Sequence, residues 1–305
     1  MSQRTFYDEQ RKNRRSSILL AIIVSLFLFS LAYIVAIIFA PDAVIFILPF
    51  SLIIILIYTW SMYQYGDRIV LSSTKAHPAE GQEYTYLNNV VEGLAIAAGV
   101  PPPKVYVIDN PEINAFATGK DPQHASITVT TGALQKLNRE ELEGVVGHEM
   151  SHVRNRDVAF MTYVAVLVGI VSILSHVILM WAWIGGISGG RGGSRGREGG
   201  SGLKVIFLVL GLILAILAPL AVALIEFAIS RKREFLADAG GAELTRYPEG
   251  LASALEKIMK INQGAMKVDQ AVSPLFINDP NKSGLSNLFA THPPLEERIK
   301  RLRQM

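Results

Sequence analysis

Residues 143–157 read EGVVGHEMSHVRNRD and place His148 and His152 four positions apart, with Glu149 directly after the first histidine. Residues four apart share one face of a helix, so the two imidazoles can bind one ion. Zinc binds neutral imidazole and tolerates a coordination position left open for water. Glu149 can take a proton from that water, so the pattern indicates a hydrolytic zinc site. The alternative is two unrelated histidines at a membrane-proximal helix end.

The helix that carries this motif has a clear start in the sequence. Asn138 is followed three residues later by Glu141, a capping-box pair in which each side chain bonds the backbone N–H of the other residue. The helical pattern then continues without a breaker. We therefore predict that the motif helix runs directly into the apolar segment that begins at residue 158.

The composition indicates a membrane protein. The chain has 305 residues, of which 50% are hydrophobic, and a mean hydropathy of +0.32, which is more apolar than a soluble domain usually is. No cysteine is present, which excludes disulfides and thiolate metal ligands. The apolar residues form four blocks, each long enough to cross a hydrocarbon layer of ~30 Å as a helix. The predicted spans are residues 16–40, 43–64, 158–186 and 203–230.

The distribution of charge predicts the orientation of the chain. Basic residues precede the first span, and the positive-inside rule then keeps the N-terminus in the cytosol. The small net charge of +3, clustered beside the apolar blocks, fits membrane orientation, and we expect no nucleic-acid partner. Four spans place the glycine-rich loop 185–202 on the outer side of the membrane, and the arginines of this loop conflict with the positive-inside rule. The predicted order is a cytosolic N-terminus (1–15), a membrane hairpin (16–64), the first catalytic half (66–157), a second hairpin (158–230) and the second catalytic half (231–305).

The first catalytic half is predicted to combine helices with a small sheet. A helical pattern ends near Gly99, and two β-branched runs follow at 104–109, KVYVID, and 126–134, SITVTTGAL. The fold class we expect is a mainly α membrane protein with four transmembrane helices and a cytosolic, zincin-like α+β metalloprotease domain.

A third zinc ligand is expected because catalytic zinc sites keep three protein ligands. Residues 230–244 read SRKREFLADAGGAEL, in which Glu234 and Asp238 are four apart and share a helical face. Glu234 could bind the metal while Asp238 bonds a ligand histidine and sets its tautomer. The alternative is a charged, solvated helix face.

Four motifs together resemble the HtpX-type membrane zinc metalloproteases, which are relatives of the CAAX prenyl proteases. They are HEMSH, REFLADAGGAEL, INAFATG and THPPLEERI, and the resemblance covers nearly the whole chain. It implies one zinc ion per chain bound by His148, His152 and Glu234, with Glu149 as the general base. It also implies a catalytic domain in the cytosol.

The same resemblance implies roles for two further motifs. In such proteases the substrate lies along an edge strand near the zinc, which assigns substrate binding to Asn114, Ala115, Phe116 and Ala117. The alternative for these residues is an ordinary loop. The resemblance further implies that His292 and Arg298 approach the site and stabilise the oxyanion. The spacing of His292 by itself favours a loop residue before a proline-led helix start.

The function that these observations predict is zinc-dependent hydrolysis of peptide bonds at the cytosolic face of the cell (inner) membrane, in a multi-pass protein. The resemblance implies quality control of membrane proteins, so the expected partners are membrane protein substrates and the lipid bilayer. The sequence leaves open whether the chain forms oligomers or binds membrane chaperone or protease partners. The alternatives are a processing protease for one membrane-associated peptide and a non-enzymatic zinc-binding scaffold. A scaffold that only binds zinc would not require Glu149.

Overall fold

The fold is seen in a computed structural model that describes residues 41–166, 231–269, 271–281 and 292–305, with single positions between 15 and 37. The helices are α1 (Val44–Ser73), α2 (Thr85–Ala98), α3 (Thr131–Lys136), α4 (Arg139–Arg154), α5 (Asp157–Val166), α6 (Arg231–Thr245), α7 (Pro248–Ile261) and α8 (Leu295–Leu302). The strands are β1 (His77–Pro78), β2 (Lys104–Ile108), β3 (Ala115–Gly119) and β4 (Ala125–Thr130).

The four strands form one mixed sheet in the order β1-β2-β4-β3. β4 lies parallel to β2 and antiparallel to β3, so β3 is an edge strand. Ile127 and Val129 of β4 are fully buried and face the main core. The predicted small sheet is confirmed, but the second strand ends at Thr130, because Thr130 caps α3 by accepting a hydrogen bond from the N–H of Ala133.

One helix within the described residues is long and apolar enough to cross a membrane, the stretch Pro41–Ser73 that contains α1. It agrees with the predicted span 43–64 and continues beyond it to Ser73, where a soluble segment was expected. The predicted spans 16–40 and 203–230, and the part of 158–186 that follows residue 166, lie outside the continuously described residues.

The start of α4 is as predicted, but its end is not. Asn138 and Glu141 form the complete capping box. The helix ends at Arg154 instead of continuing into the next apolar segment, because Arg156 adopts a left-handed backbone conformation with φ of 61°. The apolar helix α5 starts afresh at Asp157. The prediction of one continuous helix was therefore wrong.

Helix α4 is the centre of the domain, and it packs against α2, α6, α7 and β3. Glycines permit the closest approaches. A Cβ on Gly241 would lie 2.8 Å from the backbone N of His148, and one on Gly144 would lie 2.5 Å from the backbone N of Leu251. These distances are too short for a side chain, so the helix that carries the histidines is held directly against α6 and α7.

A second apolar cluster joins the sheet to the two apolar helices α1 and α5. Val70 of α1, Phe116 of β3 and Met161 of α5 are buried together with Phe276. At the end of β3, the backbone N–H of Gly119 donates a hydrogen bond to Oγ1 of Thr162. The edge strand is therefore fixed between the two apolar helices.

Candidate active site

The core of the site is formed by three side chains of α4. His148, Glu149 and His152 are all at most 4% exposed, and the two imidazoles lie one helical turn apart with ring centroids 4.9 Å from each other. The close packing of α4 against its neighbours removes these polar groups from water. Buried polar groups require partners, so their arrangement must be matched by residues from other elements.

The third side chain is Glu234, from the first turn of α6. Its carboxylate lies 3.7 Å from Nε2 of His148 and 3.6 Å from Nε2 of His152. Ligand atoms of the three residues all lie within 4.8 Å of one another, and Oε2 of Glu234 is buried without a hydrogen-bond partner among the described residues. Two imidazole nitrogens and a carboxylate oxygen are the donor set of catalytic zinc, so these residues fit the metal.

Each histidine is oriented by a carboxylate that lies next to its Nδ1 atom. Asp238 accepts a hydrogen bond from Nδ1 of His148 at 3.0 Å, and Asp157 accepts one from Nδ1 of His152 at 3.1 Å. A carboxylate accepts only, so Nδ1 carries the proton and Nε2 is left to bind the metal. Asp238 is 2% exposed, which rules out the solvated helix face considered as its alternative.

Asp157 is the site residue that the sequence analysis missed. On a continuous helix, a residue five positions after His152 would point about 140° away from it. The turn at residues 155–156 ends α4 and brings Asp157 back to the imidazole. The available signal was an aspartate a few residues beyond the second histidine, which becomes informative only when the helix end is known.

Burial and neighbouring charges shift the ionisation of the site residues. Burial lowers the pKa of His148 to about 4 and raises that of Glu149 to about 8. Burial would lower the pKa of His152, but the hydrogen bond to Asp157 and the charge of Glu234 raise it to about 9. Burial would raise the pKa of Glu234, but its histidine neighbours hold it well below its ordinary value. The anionic Glu234 and the neutral His148 suit a cation, and a metal ion competes with a proton for Nε2 of His152.

Arg298 and His292 both reach the site, as the resemblance implied. Arg298 is fully buried and donates to both carboxylate oxygens of Asp238, at 2.9 and 2.7 Å, and to the carbonyl of Ile277 at 3.1 Å. His292 Nδ1 lies 3.3 Å from Oε2 of Glu234. Arg298 therefore holds Asp238 in place and also lies 3.8 Å from Oε2 of Glu234, and oxyanion stabilisation by either Arg298 or His292 stays a prediction.

The residues predicted to bind substrate form the edge strand and the turn before it. Helix α4 packs against β3, and the backbone of Ala117 lies close enough to Glu149 to lower the pKa of its carboxyl, so β3 lies directly beside the site. The side of β3 that faces away from β4 is contacted by residues 275–278, called the covering segment here. Ile277 N–H donates to the carbonyl of Ala115 at 2.9 Å, and Asn114 Nδ2 donates to the carbonyl of Asn278 at 2.9 Å.

A buried His-His-Glu donor set, with a glutamate beside the first histidine and a sheet edge next to it, defines a zinc metallopeptidase. Residues 81–305 match the family model described as Peptidase family M48. The chain belongs to this family, and the resemblance drawn from its four motifs is confirmed.

Similar proteins align over almost the whole chain. A protease HtpX homolog from Caldanaerobacter subterraneus subsp. tengcongensis is 48% identical, covering 100% of this chain and 99% of its own. One from Thermoanaerobacter pseudethanolicus is 47% identical, with the same coverages. The crystal structure of S. mikatae Ste24p aligns with a TM-score of 0.49 and 20% identity, covering 97% of this chain and 67% of that one. With the family match and the apolar helix α1, the two HtpX homologs indicate a membrane-associated metalloendopeptidase.

Proposed function

We propose that this metallopeptidase cleaves membrane proteins at the cytosolic face of the cell membrane as part of their quality control. The observation that carries the proposal is the position of β3. This strand lies beside Glu149 and is buried between α1 and α5 in one apolar cluster. This position supports cleavage of peptide bonds that lie close to the end of α1, and so close to the membrane surface.

The cytosolic orientation is supported by charge. Basic residues precede the first predicted span, which favours a cytosolic N-terminus, and two spans then return the chain to the cytosol at the end of α1. Substrates in reach of such a site are cytosolic loops and tails of membrane proteins. The resemblance to HtpX-type proteases supports quality control over other uses of the same chemistry.

Hydrolysis at this site depends on the state of Glu149. Zinc, when bound, supplies a Lewis acid that polarises the scissile carbonyl and acidifies water. Oε1 of Glu149 is buried without a hydrogen-bond partner among the described residues, so it is available to accept the proton of the attacking water. Burial raises the pKa of Glu149 above that of an exposed glutamate, which helps the carboxyl to hold a proton taken from water and pass it to the leaving amine.

Substrate would be recognised along the side of β3 that faces away from β4. An extended peptide that adds to an edge strand gains main-chain hydrogen bonds without requiring one sequence, which suits a quality-control enzyme. The carbonyl of Ala115 is the acceptor for such a peptide, and in the described structure it accepts from Ile277. Substrate must therefore replace the covering segment along this edge.

The test uses the full-length protein in detergent with zinc and a membrane protein substrate. General acid–base catalysis contributes about 10²–10⁴-fold, so Glu149→Gln is expected to lose that much activity and keep its zinc. Glu143→Gln is the matched control, because Glu143 lies on the same helix and pairs at the surface with Arg139. A Glu149→Gln variant that retains both zinc and full activity would show that the hydrolytic role is wrong.

The cleavage pattern separates quality control from processing. Several unrelated, destabilised membrane proteins are incubated with the enzyme, and their fragments are identified by mass spectrometry. Many cleavage sites in cytosolic loops support quality control, because edge-strand pairing is tolerant of sequence. One site in one substrate supports a processing protease instead, and cuts in extracytoplasmic loops contradict the orientation.

A further inference from the structure

A cavity separate from the metal site lies between α1 and the sheet. Its volume is about 490 Å³. Trp60, Tyr65 and Arg68 line it from α1, and Lys104 of β2 and Lys120, just after β3, line it from the sheet side. None of these residues takes part in the metal centre described above.

The cavity lies at the depth of the lipid headgroups. Residues 43–66 carry no charge and form a helix of about 36 Å, slightly longer than the ~30 Å hydrocarbon layer. Trp60, Tyr63 and Tyr65, which are between 46% and 58% exposed, mark the membrane–water interface. Asp67 and Arg68 are the first charged residues after them and therefore lie in the headgroup layer.

The lining of the cavity is positively charged. Arg68, Lys104 and Lys120 face it, against one carboxylate, that of Asp67. Within the part of the chain that the structure describes, none of the three cations forms an ion pair with a carboxylate. Lys120 is instead held by the amide of Gln64 through Nζ, and the guanidinium of Arg68 lies 5.4 Å from the ring centre of Tyr65.

We propose that this cavity binds the phosphate of an anionic phospholipid headgroup from the leaflet on the side of the catalytic domain. Basic residues at this depth attract anionic lipids, and aromatic side chains hold the glycerol and upper acyl region beside the charges. The same cations would also attract free phosphate, but the cavity opens next to α1 at the level where a lipid phosphate is held in place by its own acyl chains. The inference rests on the membrane position of α1 and not on the peptidase reaction.

The test measures lipid binding to the full-length protein by native mass spectrometry from detergent that contains equal phosphatidylglycerol and phosphatidylcholine. The wild type should retain phosphatidylglycerol preferentially. Each basic residue contributes roughly fivefold to anionic lipid binding, so Lys104→Ser/Lys120→Ser should weaken it by about 30-fold. Unchanged zinc content of the double variant shows that the fold and the metal centre are intact.

The matched control is Lys260→Ser/Lys300→Ser, which removes the same charge from exposed positions on α7 and α8 that do not line the cavity. It should bind phosphatidylglycerol like the wild type. Equal loss in both double variants would assign the effect to net charge and overturn the proposal. Displacement of the lipid by millimolar inorganic phosphate would identify a free-anion site and overturn it as well.

Discussion

The substitution Asp157→Asn isolates what one carboxylate contributes to metal binding. Asp157 is 2% exposed and accepts the Nδ1–H of His152 at 3.1 Å. Asparagine has the same size and still accepts through its amide oxygen, but the negative charge is lost. The carboxylate orients the ring and makes Nε2 more basic, so the variant should bind zinc more weakly and otherwise fold normally.

The magnitude follows from the nature of the contact. Loss of a partner behind a ligand histidine typically costs about 10–100-fold in metal affinity, or about 1.4–2.7 kcal/mol. Because asparagine keeps one hydrogen bond, we expect the lower part of this range, about 10–30-fold. Asp238 is a poorer choice for this test, because its loss also leaves the buried Arg298 without its partner.

The assay is competition for zinc between the purified full-length protein and a chromophoric chelator. Asp121→Asn is the control, because Asp121 makes a similar bond to Nδ1 of His124 at 2.7 Å in a surface turn away from the metal site. Zinc affinity equal to wild type in Asp157→Asn would refute the role assigned to the carboxylate. Equal weakening in both variants would show an effect of overall charge.

Three further predictions concern stability, metal and the edge strand. Arg298→Leu leaves the carboxylate of Asp238 buried without its cation, so it should lower the free energy of unfolding by about 3–5 kcal/mol and lower the thermal midpoint. Arg303→Leu removes an exposed ion pair and should leave the midpoint nearly unchanged. Removing zinc with a chelator should abolish proteolysis and lower the midpoint reversibly; a midpoint that does not recover with added zinc contradicts this. Ile277→Pro removes the N–H that bonds Ala115 and should lower KM for an extended peptide at unchanged zinc content; a raised KM would show that the covering segment supports the site.

The candidate metal ligands could be predicted from sequence because each pair has a characteristic local spacing, and the resemblance of the motifs joined the two pairs into one site. Two histidines four apart on a capped helix must share a face, and Glu234 and Asp238 do so on their own helix. The sequence could also place α1, since an uncharged apolar stretch of this length has few alternatives. Each of these inferences uses neighbours along the chain.

Other features have no local signal in the sequence and could not be derived from the residues alone. The end of α4 at Arg154 follows from the left-handed conformation of Arg156. No strong helix breaker in the sequence predicts this end. Ala115–Gly119 forms a strand although it contains alanine and glycine, because β4 and the apolar helices bury it. The covering segment is separated from β3 by much of the sequence, and its pairing with Ala115 has no local signal.

The origin of the metal ligands from two separated helices has a consequence for biosynthesis. His148 and His152 lie on α4, whereas Glu234 lies on α6, beyond the second predicted membrane hairpin. The ribosome therefore produces both imidazoles well before the carboxylate that completes the donor set. A nascent chain holds an incomplete metal centre while it is being inserted, so the peptidase becomes competent only after its last predicted span has been made.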